Sequence, residues 1–172
     1  ERARQMQEQV QAAYDSYEFH RIYQLVHNFC AVDMGSFYLD IIKDRQYTTQ
    51  ANSTPRRSAQ TAMYHVAESL VRWLAPILSF TAEEIWQALP GEREDSVFLA
   101  TWYELPPAFF PEGETPQRMG TDFWERVITV RDAVSKQLEQ LRAAGGIGSP
   151  LDAEVDLYAD EETRALLGTV ED

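Results

Sequence analysis

Between Ala59 and Leu74, apolar side chains recur at i, i+3, i+4 and i+7: Ala59, Ala62, Met63, Val66, Ala67, Leu70, Val71 and Leu74. That spacing predicts an amphipathic helix over residues 58–74. Glu68 and Arg72 lie one turn apart on its opposite face, in the favourable order, and His65 falls on the same polar arc. Pro55 suits the start of this helix and Pro76 its end. Upstream, residues 2–15 are polar with weak helical periodicity and predict a helix exposed on two sides. Ser16 is a candidate cap for a second helix, striped by Phe19, Ile22, Tyr23, Val26 and Phe29 or Cys30. Gly35-Ser36 weakens that helix, with a kink or a continuation as the outcome. Thr48 to Pro55, "TTQANSTP", is a loop by composition.

Downstream, Thr81 with Glu84 predicts a capping box opening a short helix through Ile85, Trp86 and Leu89, stopped by Pro90-Gly91. Val97 to Tyr103, "VFLATWY", reads as extended and rich in β-formers. Pro106 to Gly120 holds four of the eight prolines and reads as a linker. Asp122 and Glu125 suggest a second capping box, opening a helix striped by Val127, Val130, Val134, Leu138 and Leu141. Then Leu151, Ala153, Val155 and Leu157 alternate strictly with Asp152, Glu154 and Asp156, the pattern of a half-buried strand with an acidic outer face. Asp160 can cap a last helix that ends near Gly168. The expected fold is mainly α: a helical bundle over 1–105, a linker over 106–120, and the start of a small α+β region over 121–172.

Charge changes this picture more by its placement than by its sum. The chain of 172 residues carries a formal net charge of −13, which by itself argues against nucleic acid. Residues 1–75, however, hold eight Lys/Arg and eight Asp/Glu, so the second part carries the whole excess. From Ile41 to Ala67, Lys43, Arg45, Arg56 and Arg57 face only Asp44. A single cysteine, Cys30, excludes an internal disulfide framework and a multi-cysteine zinc site. No apolar run is long enough for a membrane span, and the polar start is no signal peptide. These features fit a cytoplasmic protein. The start at Glu1 in mid-helix pattern and the abrupt stop at Asp172 read as an excised piece of a longer chain.

Signs of catalysis are missing. The one glycine cluster, Gly145 to Gly148, follows a helix instead of joining strand to helix. His20 and His27 can share a helical face, but two histidines alone are a poor ligand set. His65 reads as a surface hydrogen-bonding residue. Glu83 and Glu84 point about 100° apart on a helix and suit a helix start better than an acid pair. Cys30 lies in an apolar stripe and reads as a core thiol.

One stretch remains, Phe37 to Tyr47, "FYLDIIKDRQY". On an α-helix, Phe37, Tyr38, Leu39, Ile41 and Ile42 fall on one apolar arc of about 200°, with Lys43, Tyr47, Asp40 and Asp44 opposite. Arg45 lands inside the apolar arc, where a guanidinium must pair with an acid or reach outward. The plain reading is a bundle helix with a solvated face. The alternative is an RNA-binding face, with cations for phosphates, aromatic rings for unstacked bases and polar groups for base edges. Lys43 and Tyr47 share a face, and the loop beyond adds Gln50, Asn52, Arg56 and Arg57.

Ser36 to Glu92 strongly resembles the anticodon-binding helical domain of the bacterial isoleucyl-tRNA synthetases. The phrases "FYLDIIKDRQY" and "APILSFTAEEIW" carry the resemblance, and "VFLATWYELP" extends it. The related class I synthetases for valine, leucine and methionine have looser versions. The resemblance is firm over about residues 16–105 and moderate beyond. It implies binding of the anticodon stem and loop of isoleucine tRNA, with Lys43, Arg45, Arg56 and Arg57 on phosphates and Tyr47 or Trp102 stacking on bases. It implies no catalytic residue in this stretch, because the family's "HIGH" and "KMSKS" signatures are missing. ATP with magnesium, the editing site for misattached valine, and a cysteine-ligated zinc module are then expected elsewhere in a longer, monomeric enzyme. The remaining alternative is a structural or protein-docking helical domain without direct RNA contact.

Overall fold

The long helix predicted around residues 58–74 is the axis of the first unit. The structure is a computed structural model that describes residues 1–107 and 120–170, and the chain divides into two compact units, 1–107 and 108–172. In the first unit, α1 (Arg2–Asp15) and α2 (Phe19–Asn28) lead into a π-helical stretch (Phe29–Tyr38). The short helices α3 (Leu39–Ile41) and α4 (Lys43–Tyr47) follow, then α5 (Thr54–Leu74), α6 (Ser79–Ala88) and a 3-10 turn at Val97–Leu99. Pro55 sits in the first turn of α5, where a missing N–H leaves no helical bond unmade.

Helix α5 is packed on two sides. Its Trp73 is fully buried with Met6, Val10 and Ala13 of α1, Ile22 and Val26 of α2, and Phe29. The Trp73 indole N–H donates to Gln7 Oε1 at 3.0 Å. The Tyr14 hydroxyl donates to the Trp73 carbonyl at 2.6 Å, satisfying an acceptor that the helix end leaves without an intrahelical partner. On another side Val71 joins Ala75, Ala82, Trp86 and Val97 in a second apolar cluster.

Several local expectations are corrected. Ser16 does not cap α2; it ends α1, its hydroxyl donating to the Ala12 carbonyl at 2.9 Å. The reversal needs Tyr17 in the left-handed region (φ 57°), which lets the Glu18 N–H reach the Ala13 carbonyl at 2.8 Å. Helix α6 begins at Ser79, so Thr81 lies within it and opens no capping box. Neither a kink nor an ordinary α-helix joins α2 to the motif. In the π-helical stretch each N–H reaches five residues back, and side chains rotate away from their α-helical faces. Gly35 allows this winding, since a Cβ there would stand 3.0 Å from the Cys30 carbonyl oxygen. Cys30 is accordingly exposed, with Phe29 in the core instead. Of the five apolar residues of the motif, Ile42 is buried, Phe37 and Tyr38 are half-buried, and Leu39 and Ile41 are exposed.

The second unit contains α7 (Thr121–Ala143), a 3-10 turn (Pro150–Asp152) and α8 (Glu161–Leu167). Gly120 occupies the cap position of α7, and no side chain caps it, so Asp122 and Glu125 form no capping box. Gly145, with φ 76°, turns the chain after α7. Asp160 caps α8 as expected, accepting from the Thr163 N–H at 2.8 Å. The described residues are mainly helical, as expected. The β component is not formed: among the described residues there is no strand. Val97–Leu99 is a 3-10 turn, and residues 153–160 form neither helix nor strand. Most of the linker expected over 106–120 lies outside the described residues.

Candidate nucleic-acid interface

The motif's cationic end is built by α4, a six-residue loop and the first turn of α5. Buried Ile42 anchors α4, and the Tyr38 hydroxyl donates to the Ala59 carbonyl at 3.2 Å, fixing the motif to α5. The loop is tied at both ends by side chains. Thr48 and Thr49 hydroxyls donate to the Asp44 and Arg45 carbonyls at 2.6 and 2.5 Å, and the Ser53 hydroxyl donates to Thr49 Oγ1 at 3.1 Å. Local Ser/Thr bonds of this kind give the backbone turns in place of helix.

On this frame stand four cations and one open ring. Lys43 Nζ lies 2.6 Å from Asp40 Oδ1, and that carboxylate pushes the ammonium pKa up, keeping it charged at neutral pH. The Arg45 side chain is exposed and makes no ion pair among the described residues; burial pushes the Tyr38 phenol up while the Arg45 charge pulls it down. Arg56 is half-buried and donates through Nη1 to the Thr49 carbonyl at 3.3 Å. Arg57 is exposed and likewise unpaired among the described residues. Tyr47 is 85% exposed. The positive end of the α5 dipole adds to the same field. Asp40 and Asp44 are the acids of this region, and only Asp40 forms an ion pair among the described residues.

The structure therefore brings five of the six nominated residues to one end of the bundle. It does not bring Trp102 there. Trp102 is 39% exposed and packs on Tyr14 at a ring distance of 6.1 Å. Tyr14 is bonded to Trp73 at the last turn of α5, roughly 24 Å along the helix axis from Arg57 at 1.5 Å per residue.

Sequence reasoning missed the other polar cluster on α5. Glu68 and Arg72 lie on the face opposite the apolar stripe, yet Glu68 is only 3% exposed. Its carboxylate takes Arg72 Nη1 at 2.5 Å and Arg93 Nη2 at 3.0 Å. Both guanidiniums lie against Trp86, 4.6 and 4.7 Å from the ring centre. Burial alone pushes the Glu68 carboxyl up, but hydrogen bonds from Arg72, Tyr64 and Arg93 outweigh it and hold the carboxyl below its ordinary value. Nearby, His65 Nδ1 and the Tyr103 hydroxyl are 2.7 Å apart. An open cavity of about 460 Å³ borders this cluster, lined also by Glu92 and Glu94. With both guanidiniums held on the one carboxylate, this arrangement clasps the segment after α6 onto α5. The i, i+4 spacing was its only signal, and nothing local marks Arg93 as the third member.

A family model described as the anticodon-binding domain of tRNA ligase matches residues 1–157. An isoleucine–tRNA ligase of Nitrosococcus oceani is 63% identical over 161 residues, 94% of this chain and 17% of the relative. One from Alkalilimnicola ehrlichii is 58% identical over 172 residues, 100% of this chain and 18% of the relative. One from Halorhodospira halophila is 62% identical over 157 residues, 91% of this chain and 16% of the relative. The chain thus spans less than a fifth of the length of these curated relatives. Among the described residues, no helix is long and apolar enough to cross a membrane.

Proposed function

The chain belongs to the anticodon-binding domains of tRNA ligases, and we propose that it holds the anticodon stem and loop of isoleucine tRNA for a cytoplasmic, monomeric isoleucine–tRNA ligase. That ligase would join isoleucine to its tRNA with ATP and clear misattached valine, both at sites outside these residues. ATP, magnesium and zinc would be bound in those other parts.

The observation that carries the reading is the end of the bundle around α4. Arg45 and Arg57 are exposed without an ion pair among the described residues, and the Tyr47 ring is open. A purely structural cation cluster would be answered by acids, as Arg72 and Arg93 are by Glu68. Unanswered guanidiniums suit phosphates, and an open tyrosine suits a splayed loop base. Lys43 and Arg56 are held by Asp40 and by the Thr49 carbonyl, so they present their charge from fixed positions.

The test is a salt series of binding to isoleucine tRNA. Affinity falls steeply with salt, and Arg45→Ala or Arg57→Ala each makes the log–log slope shallower by about one. Binding that is insensitive to salt, or slopes unchanged by both substitutions, rejects this face as the RNA-binding surface. Loss of all binding on folding-neutral changes elsewhere would do the same.

A further inference from the structure

Helix α5 is open to solvent only over its first two turns. Every residue from Ala62 to Leu74 is buried or half-buried, whereas Thr54, Pro55, Arg57, Ser58, Gln60 and Thr61 are exposed. Among these six, Gln60 alone carries an amide, with a donor and an acceptor side by side. Its side chain makes no hydrogen bond to any other described residue. The neighbouring Thr61 hydroxyl, by contrast, is turned to the helix and donates to the Arg57 carbonyl at 2.9 Å. At 100° per residue, Gln60 projects between the two arginines, about 60° from Arg57 and about 40° from Arg56. It stands about 4.5 Å beyond Arg57 and about 6 Å beyond Arg56 along the axis, the spacing at which helical side chains are neighbours.

We propose that Gln60 is a specificity-determining residue, whose amide reads the N6/N7 edge of an adenine in the anticodon loop. The inference rests on the anticodon reading above. Phosphate contacts position a nucleic acid without reading it, and base-edge contacts supply the selectivity. Arg56 and Arg57 then hold the backbone, and Gln60 meets the base that the held nucleotide splays out. Oε1 accepts from the adenine N6 amine while Nε2 donates to N7, the bidentate pairing that suits an amide. On that edge guanine offers two acceptors, and the pyrimidines have no N7, so the amide selects adenine. Gln50 and Asn52 also carry exposed amides, but they sit on the loop before α5. A reader on a helix holds its geometry more closely than one on a loop, and Gln60 has both arginines as neighbours.

The test measures the affinity of the full-length ligase for isoleucine tRNA in which each anticodon-loop adenosine is replaced in turn by 7-deazaadenosine. That nucleoside has a C–H where adenine has N7. With Gln60 in place, one of these replacements weakens binding by about 10-fold. Gln60→Ala weakens binding of the unmodified tRNA by about 10-fold or more, and the same replacement then costs nothing further. Two RNAs are compared on one protein, so a general loss of folding cannot imitate this coupling. The log–log salt slope of Gln60→Ala stays that of the parent, because no phosphate contact is lost. Three results overturn the proposal: no replacement weakens binding to the parent, the replacement costs as much in Gln60→Ala as in the parent, or the salt slope of Gln60→Ala becomes shallower. Arg57→Ala is measured alongside. A shallower slope there without coupling at Gln60 removes this inference and leaves the anticodon reading standing.

Discussion

Glu68 Oε2 and Arg72 Nη1 lie 2.5 Å apart, one turn apart on α5, and the carboxylate is buried. Arg93 reaches the other carboxylate oxygen at 3.0 Å from beyond α6. Removing the shared acid leaves two guanidiniums that are mostly buried and uncompensated. Glu68→Ala is therefore expected to destabilise the first unit by about 3 kcal/mol or more. Glu68→Gln keeps an acceptor oxygen and should cost less. Urea or guanidinium unfolding monitored by tryptophan fluorescence measures both, and equal stability of Glu68→Ala and the parent chain would refute the role of this cluster.

The same carboxylate sets a pH dependence. Its folded pKa is held below the ordinary 4.5, so the unfolded chain binds its proton more readily than the folded one. The stability it contributes is fully present above that ordinary value and is lost as pH falls through the lower, folded value. Glu83 acts in the same direction, with hydrogen bonds from Gln87, Ser96 and the Val97 N–H holding its carboxyl down. Stability followed from neutral pH downward should stay level and then fall below about pH 4.5. Glu68→Gln should flatten part of that fall. An unchanged profile in the variant would assign the acid sensitivity to other groups.

How far these features were legible in the sequence depends on how local their causes are. Helix α5 was legible because its apolar repeat and its flanking prolines act within a few residues. The burial of Glu68 was not, because the polar face of α5 is covered by Arg93 and Tyr103, which return from far along the chain. The π-helical winding was not legible either. The same apolar residues serve i→i+4 and i→i+5 bonding, and only the close approach of Gly35 to the Cys30 carbonyl hints at it. The cations of α4 and α5 could be grouped in advance because one short loop joins those helices. Trp102 could not be placed, since its neighbour Tyr14 is distant in sequence. For residues 151–157 the alternation predicted a strand that is not formed: Pro150–Asp152 winds into a 3-10 turn, and the pattern could not supply a pairing partner.

Tyr47 offers a sharper test of base stacking than the cations do. Its ring is 85% exposed, so its removal should leave folding stability within about 0.5 kcal/mol of the parent, as for ordinary surface positions. If the ring stacks on an anticodon-loop base, Tyr47→Ala weakens isoleucine tRNA binding by about 1–3 kcal/mol. Tyr47→Phe keeps the ring face and retains most of that affinity. The salt slope stays the same in both, because no phosphate contact is lost. Fluorescence or filter-binding titrations across a salt series distinguish these outcomes, and equal affinity of Tyr47→Ala and the parent would remove stacking from the proposal.

Trp102 should behave in the opposite way. Its ring packs on Tyr14, which also meets Phe19 at 6.1 Å and donates its hydroxyl to the Trp73 carbonyl. Trp102→Ala therefore opens one side of the contact between α1 and the end of α5. Its partial burial puts the expected loss at about 1–2 kcal/mol, below the 3–5 kcal/mol of a fully buried aromatic. Lying roughly 24 Å along α5 from Arg57, it should leave the salt slope of tRNA binding untouched. Affinity measured well below the midpoint of unfolding should change little. Comparing thermal unfolding with tRNA titration for Tyr47→Ala and Trp102→Ala gives a crossed pattern: one variant loses binding and keeps stability, the other the reverse. A Trp102→Ala variant that keeps its stability and loses tRNA affinity would instead extend the RNA-binding surface to the far end of the bundle.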